Sequence, residues 1–138
     1  MDEIESRHRA IVDDFAAMED WQERYEHIVD LGKALEPLAK EFHTPELKVS
    51  GCVSQVWLRA TLEDGKLVFA ADSDSIFVKG LIALLIRAYS GFSPEEVLRT
   101  DPAFVREIGI TQNLSPNRAN GLGSMIHRIK EIARSHAN

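Results

Sequence analysis

A single thiol bounds the covalent chemistry open to this chain. Cys52 is the only cysteine in the sequence, so no internal disulfide can form, and one chain cannot assemble a Cys-rich zinc or iron–sulfur site. It stands in Ser50-Gly51-Cys52, followed by Val53-Ser54-Gln55. A glycine at that place permits a tight or left-handed backbone, which predicts a thiol at a loop tip just ahead of a strand. The chemistry on offer is nucleophilic: the thiolate attacks, and an unperturbed pKa of about 8.5 leaves only a few per cent ionised at neutral pH. Arg118 or a helix N-terminus beside the sulfur would supply the missing positive field. The competing reading is a small core hydrophobe, which is how free cysteine commonly serves. The turn-type and polar neighbours Ser50, Gly51, Ser54 and Gln55 favour the loop. The apolar Val49 and Val53 that flank it predict shelter at rest.

Other reactive side chains are less pointed. Arg118 falls at the third position of a helix capped by Ser115, where a cation works against the helix dipole; it reads either as a surface ion-pair partner or as the source of field for Cys52. Asp74 reads first as a helix cap. The five histidines, His8, His27, His43, His127 and His136, show no His-x₃₋₅-His pairing, so no metal site is expected. Trp57 points away from Val56 and Leu58, either into a second core face or onto a partner surface. A cluster scaffold would need about three thiolates. A one-cysteine thiol enzyme, peroxidase or hydrolase, would need a base or an activating arginine set against Cys52, and no Cys/His spacing signals one.

The elements that must position these groups follow from periodicity. Ile4, Ile11, Val12, Phe15 and Met18 mark one amphipathic helix. Asp20 with Glu23 has the pattern of a capping box for a second helix, which carries Trp21, Tyr25, Ile28, Val29, Gly32 and Leu35 and stops near Glu36 ahead of Pro37. The period then becomes two: Val56 to Leu62, the turn Glu63-Asp64-Gly65-Lys66, and Leu67 to Ala71 form a hairpin. Asp72, Ser73 and Asp74 offer the cap of an almost wholly apolar helix from Ile76 onward, the central buried one, in which Gly80 marks close approach of another backbone. Ser93-Pro94-Glu95-Glu96 starts a helix, Asp101-Pro102 another, and Ser115-Pro116 the last. That last helix buries Leu122, Met125, Ile126, Ile129 and Ile132, with Gly121 and Gly123 packed closely against the sheet or the cysteine loop. Helices, hairpin, helices is the order of an α+β domain with helices on one face of a small antiparallel sheet.

At 138 residues the chain has the size of one domain, 1–138. Its 16 basic and 22 acidic residues give a net charge of −6. That sign argues against nucleic acid and against an anionic membrane surface as main partner. Lys79 and Arg87 break the longest apolar run, so no bilayer span is expected. The acidic opening Asp2, Glu3, Glu5 is unlike a signal peptide, and a reducing cytoplasm is the expected location.

Taken in order, Gly51-Cys52-Val53-Ser54-Gln55-Val56-Trp57-Leu58, Asp72-Ser73-Asp74, Val78-Lys79-Gly80-Leu81-Ile82-Ala83, Leu114-Ser115-Pro116-Asn117-Arg118 and Gly121-Leu122 resemble the SufE family of sulfur acceptors. Trp21, Arg24-Tyr25 and Leu31-Gly32 resemble that family's opening helices, while residues 1–20 and 45–49 follow it less closely. The resemblance implies a fold like that of the IscU-type iron–sulfur scaffolds. It implies a protein, not itself an enzyme, that activates a pyridoxal-phosphate-dependent cysteine desulfurase (SufS- or CsdA-like). Such a protein takes the sulfur onto its own cysteine as a persulfide and passes it to a downstream iron–sulfur scaffold. By the same resemblance Cys52 is the persulfide carrier, Arg118 lies near the sulfur or the partner surface, and Asp74 makes a contact with the cysteine loop or the partner. No cofactor or metal of its own is implied, and the chain is expected to be a monomer or weak homodimer. The alternative is a one-cysteine thiol-dependent redox enzyme.

Overall fold

Two amphipathic helices open the chain, α1 (Glu3–Ala16) and α2 (Trp21–Ala34), in a computed structural model that describes residues 2–137. Asp2 and Glu5 close a reciprocal capping box on α1. The box expected on α2 is half-formed: Asp20 accepts the Glu23 N–H at 3.0 Å, and the Glu23 carboxylate does not bond back. One satisfied donor is enough to start the helix.

Strands β1 (Val56–Glu63) and β2 (Lys66–Ser73) pair antiparallel, Val56 opposite Ser73 and Glu63 opposite Lys66. Asp64 and Gly65 turn the hairpin with φ of 52° and 77°, the positive pair that a two-residue connection needs to match strand twist. Val56, Leu58, Leu67, Phe69 and Ala71 are buried on the inner face. The second strand runs two residues beyond the expected Ala71 because Asp72 and Ser73 stay in register with Trp57 and Val56. Part of the outer face is covered by chain as well. The His43 ring stacks flat on Trp57, centroids 4.1 Å apart, so Trp57 is neither core nor bare surface.

Helix α3 (Ile76–Tyr89) is capped by Ser75, whose hydroxyl accepts the Val78 N–H at 3.4 Å; the expected cap within 72–74 is displaced by the longer strand. It is the central helix, burying Phe77, Val78, Leu81, Ile82, Leu84, Leu85 and Tyr89 against α2, β2 and α1. Each such side chain contributes roughly 1.5–3 kcal/mol of hydrophobic stabilisation. Gly32 and Gly80 let α2 and α3 touch backbone to backbone: a Cβ on Gly80 would land on the Ile28 carbonyl.

The remaining helices are α4 (Pro94–Arg99), α5 (Phe104–Glu107), α6 (Ile110–Asn113) and α7 (Pro116–His136). Ser93 and Glu96 form the full capping box on α4. Helix α5 starts at Phe104, later than Asp101-Pro102 suggested, because Pro102 serves in a turn, its carbonyl accepting the Val105 N–H at 3.2 Å. The single turn α6, entered through Gly109 at φ 76°, is too short for any periodic signal. Lys130 ties α7 to the end of α4 through the carbonyls of Val97 and Thr100 at 2.5 and 2.6 Å. The architecture is α+β, a two-stranded antiparallel sheet packed on helices.

Candidate functional site

Cys52 lies on the loop that leads into β1, outside the sheet and half-buried. Gly51 immediately before it has φ 87°, a left-handed conformation that strains any residue with a Cβ. The expectation of a glycine-enabled loop thiol therefore holds in the backbone. The sulfur rests on α7: Sγ donates weakly to the Gly121 carbonyl at 3.5 Å, and a Cβ on Gly121 would lie 3.6 Å from it. Gly121 is thus where the close approach occurs. Gly123, expected to share that role, has open space where its Cβ would be, because it projects from another side of the helix.

Beside the thiol is a cavity of about 340 Å³, with Val78, Leu81 and Met125 among its walls and Arg118 at its rim. Those apolar residues were legible only as core stripes of α3 and α7; that they also line a space next to Cys52 needed the packing of the two helices. Val49 is buried, whereas Val53 lines the cavity but is itself 78% exposed. Much of the shelter comes from α7, on which the sulfur rests at Gly121. Burial pushes the Cys52 thiol above its ordinary pKa, since the charged form is the one disfavoured.

Arg118 lines the same cavity as Cys52 and is seated on an aromatic ring. Its guanidinium carbon sits 4.8 Å above the Phe77 ring, and that ring stacks on Tyr25 with centroids 4.6 Å apart. The residue is at the third position of α7 as expected, its N–H donating to Ser115 Oγ at 3.3 Å. Phe77 as its seat had no signal in the sequence, where it reads as one more apolar position in α3.

Asp74 is part of the loop's anchorage and caps no helix. Its carboxylate accepts the Gln55 N–H at 3.0 Å while its own N–H donates to the Gln55 carbonyl at 3.3 Å. Ser73 adds a hydroxyl bond to that same carbonyl at 2.7 Å. The downstream end of the cysteine loop is therefore pinned to the end of β2 through Gln55. Asp72 is engaged separately. Burial opposes its charge, yet the Ser73 N–H, Lys79 and His43 together hold its carboxyl below the usual range.

Among the described residues no group of three His, Cys, Asp or Glu side chains is placed to hold a metal ion. None of their helices is long and apolar enough to cross a membrane. What the arrangement can do is thiol exchange: a half-sheltered sulfur on a loop, next to a cavity of mixed polar and apolar lining, with an arginine at the rim.

The chain is similar to known proteins along most of its length. The family model described as "SufE: Fe-S metabolism associated domain" matches residues 9–133. A protein of Rhizobium etli named an uncharacterized SufE-like protein is 44% identical over 132 residues, covering 92% of this chain and 89% of its own. The Arabidopsis thaliana "SufE-like protein 1, chloroplastic/mitochondrial" is 42% identical over 134 residues, covering 96% of this chain but only 36% of that longer protein. The solution structure of a hypothetical protein from Thermus thermophilus superposes with a TM-score of 0.77 at 22% identity, over 94% of this chain and 95% of that one, which establishes a shared fold. With a family match across almost the whole described chain and relatives 42–44% identical over most of it, this chain belongs to the SufE family, associated with iron–sulfur metabolism.

Proposed function

We propose that this protein is a sulfur acceptor that activates a pyridoxal-phosphate-dependent cysteine desulfurase and carries the released sulfur as a persulfide on Cys52 toward an iron–sulfur scaffold. The observation that carries the reading is the half-buried loop thiol facing a cavity of about 340 Å³ walled by Val78, Leu81 and Met125 on one side and by Ser115, Asn117 and Arg118 on the other. In the step, the Cys52 thiolate attacks the outer sulfur of the desulfurase persulfide. The donor's S–S bond breaks as the new one forms, and the donor leaves as a thiolate, so sulfur moves with no external oxidant or reductant. The cavity gives the added sulfur a place away from other thiols, and this chain has no second cysteine to strip it off.

At rest burial raises the thiol pKa, which disfavours the reactive thiolate. Ionisation then belongs to the docked state, in which Arg118 leaves Phe77 for the sulfur or for the partner. The Asp74 anchor keeps the loop tethered at Gln55 while Cys52 reaches outward. A desulfurase of the SufS or CsdA type is the partner this chemistry calls for. A thiol enzyme acting alone would want a base, and the described residues lining the cavity include no histidine or carboxylate, which weighs for a carrier. The lone thiol suits a reducing compartment, and we place the protein in the cytoplasm.

The test is incubation with a cysteine desulfurase, pyridoxal phosphate and cysteine. Intact mass should show one added sulfur at Cys52, removable by reductant, with faster desulfurase turnover. Cys52→Ser should lose both. If Cys52→Ser stimulates turnover as well as the unsubstituted protein, the acceptor mechanism is wrong even where the two proteins bind.

A further inference from the structure

The cysteine loop lies along one stripe of α7. Gly121, Ser124 and Arg128 are spaced i, i+3 and i+7 and so share a helix face. Each meets a successive part of the loop, which runs antiparallel to the helix. Arg128 donates to the carbonyls of Glu46 and Lys48 at 2.6 and 3.4 Å. The Ser124 side chain fills the place a Cβ on Gly51 would need. The Gly121 carbonyl faces Cys52 Sγ at 3.5 Å.

The other anchors fix the loop to the sheet. Upstream, the Val49 N–H bonds the Val56 carbonyl at 2.8 Å; downstream, Asp74 and Ser73 hold Gln55. The thiol's seat is on α7, however, and a loop tied only to the sheet could slide along the helix. Upstream of the thiol, the polar tie to α7 is the Arg128 fork, two turns or roughly 10 Å along the axis from Gly121.

We propose that Arg128 is a positioning residue for Cys52, clamping residues 46–48 to α7 so that the thiol seats on Gly121 beside the cavity. Arginine suits the task because its planar fork reaches two carbonyls at once, which a single ammonium does not. The stripe also explains Ser124, a small side chain between the two contacts where a larger one would lift the loop at Gly51. The proposal deepens the reading of Cys52 as acceptor and rests on it for its importance. Its test uses no desulfurase, so either can fail without the other.

The measurement is the rate of Cys52 alkylation by iodoacetamide at neutral pH in the native protein. Arg128→Met keeps the methylene stem and removes the donors. It should raise the rate roughly fivefold to tenfold, the scale set by losing a hydrogen bond to a charged group, while the melting temperature stays within about 2 °C of the unsubstituted protein. Arg128→Lys should fall between the two, since it keeps the charge and loses the fork. A rate for Arg128→Met within twofold of the unsubstituted protein overturns the proposal. Should Arg128→Met fail to fold cooperatively, Arg128→Gln decides by the same twofold line.

Discussion

Glycine serves two helix contacts in this molecule in opposite ways. Between α2 and α3, Gly32 and Gly80 bring backbones together, so that a Cβ on Gly32 would strike the Ile76 carbonyl and one on Gly80 the Ile28 carbonyl. Between α7 and the cysteine loop, a Cβ on Gly121 would lie 3.6 Å from a sulfur, which is ordinary van der Waals contact. The first contact joins two regular helices and has nothing that can give. The second sets a loop side chain on a helix, held in place by a few hydrogen bonds at the loop's ends. A domain that must keep its core fixed while offering one thiol to a partner needs both kinds, and they belong to different pairs of elements.

The largest effect expected from this contrast is at the rigid contact. Gly80→Ala should cost at least about 3 kcal/mol, because the new methyl meets backbone and either helix must move to admit it. Denaturant unfolding would measure it, with loss of cooperative folding as the extreme result. A cost under about 1 kcal/mol would mean that α2 and α3 can slide apart, and the two contacts would no longer differ in kind.

Much of that contrast was legible in the sequence. Gly80 in an apolar helix marks backbone approach, because a residue that costs about 1 kcal/mol relative to Ala in a helix is otherwise hard to account for. Gly51 before Cys52 marks a loop thiol for a similar reason, and its positive φ of 87° agrees. What could not be read were facts about relations between elements. Ser75 replaces the 72–74 segment as cap because strand pairing extended β2, a competition between elements that no local pattern encodes. Gly121 and Gly123 look alike in the chain, yet only one faces Cys52, since a two-residue step turns about 200° around a helix. Arg118 rests on Phe77, a seat supplied by an aromatic ring some forty positions earlier. Val53 is apolar and adjacent, but the loop turns it outward.

A second, smaller effect probes the soft contact through pH. Burial raises the thiol pKa at rest, so alkylation of Cys52 should rise with pH around a midpoint above the ordinary value of about 8.5. Stability moves with the same proton: a neutral thiol favoured by folding contributes below the unfolded pKa, and that contribution is lost as pH rises through the higher folded value. Because Arg118 lies over Phe77, Arg118→Ala should leave the midpoint where it is in the protein alone, even though it slows sulfur uptake with a desulfurase. A midpoint that climbs in Arg118→Ala would mean that the guanidinium already acts on the resting thiol, and the loop would then be held by charge as well as by packing.

The smallest effect separates the two glycines of α7. Replacing a helix-interior glycine by alanine gains up to about 1 kcal/mol from backbone entropy alone. Gly123→Ala should realise that gain, since nothing lies within 4 Å of its Cβ position. Gly121→Ala adds a methyl against Sγ at 3.6 Å, a contact neither strained nor empty, so its gain should match that of Gly123→Ala within about 0.5 kcal/mol. Paired melting curves of the two variants cancel the propensity term and leave only the effect of a Cβ against the thiol. If Gly121→Ala falls more than about 1 kcal/mol below its neighbour, or exposes Cys52 to alkylation, then the loop presses on α7 as hard as α3 presses on α2. A thiol so tightly seated could not leave to meet a partner without a larger rearrangement than the loop anchors describe.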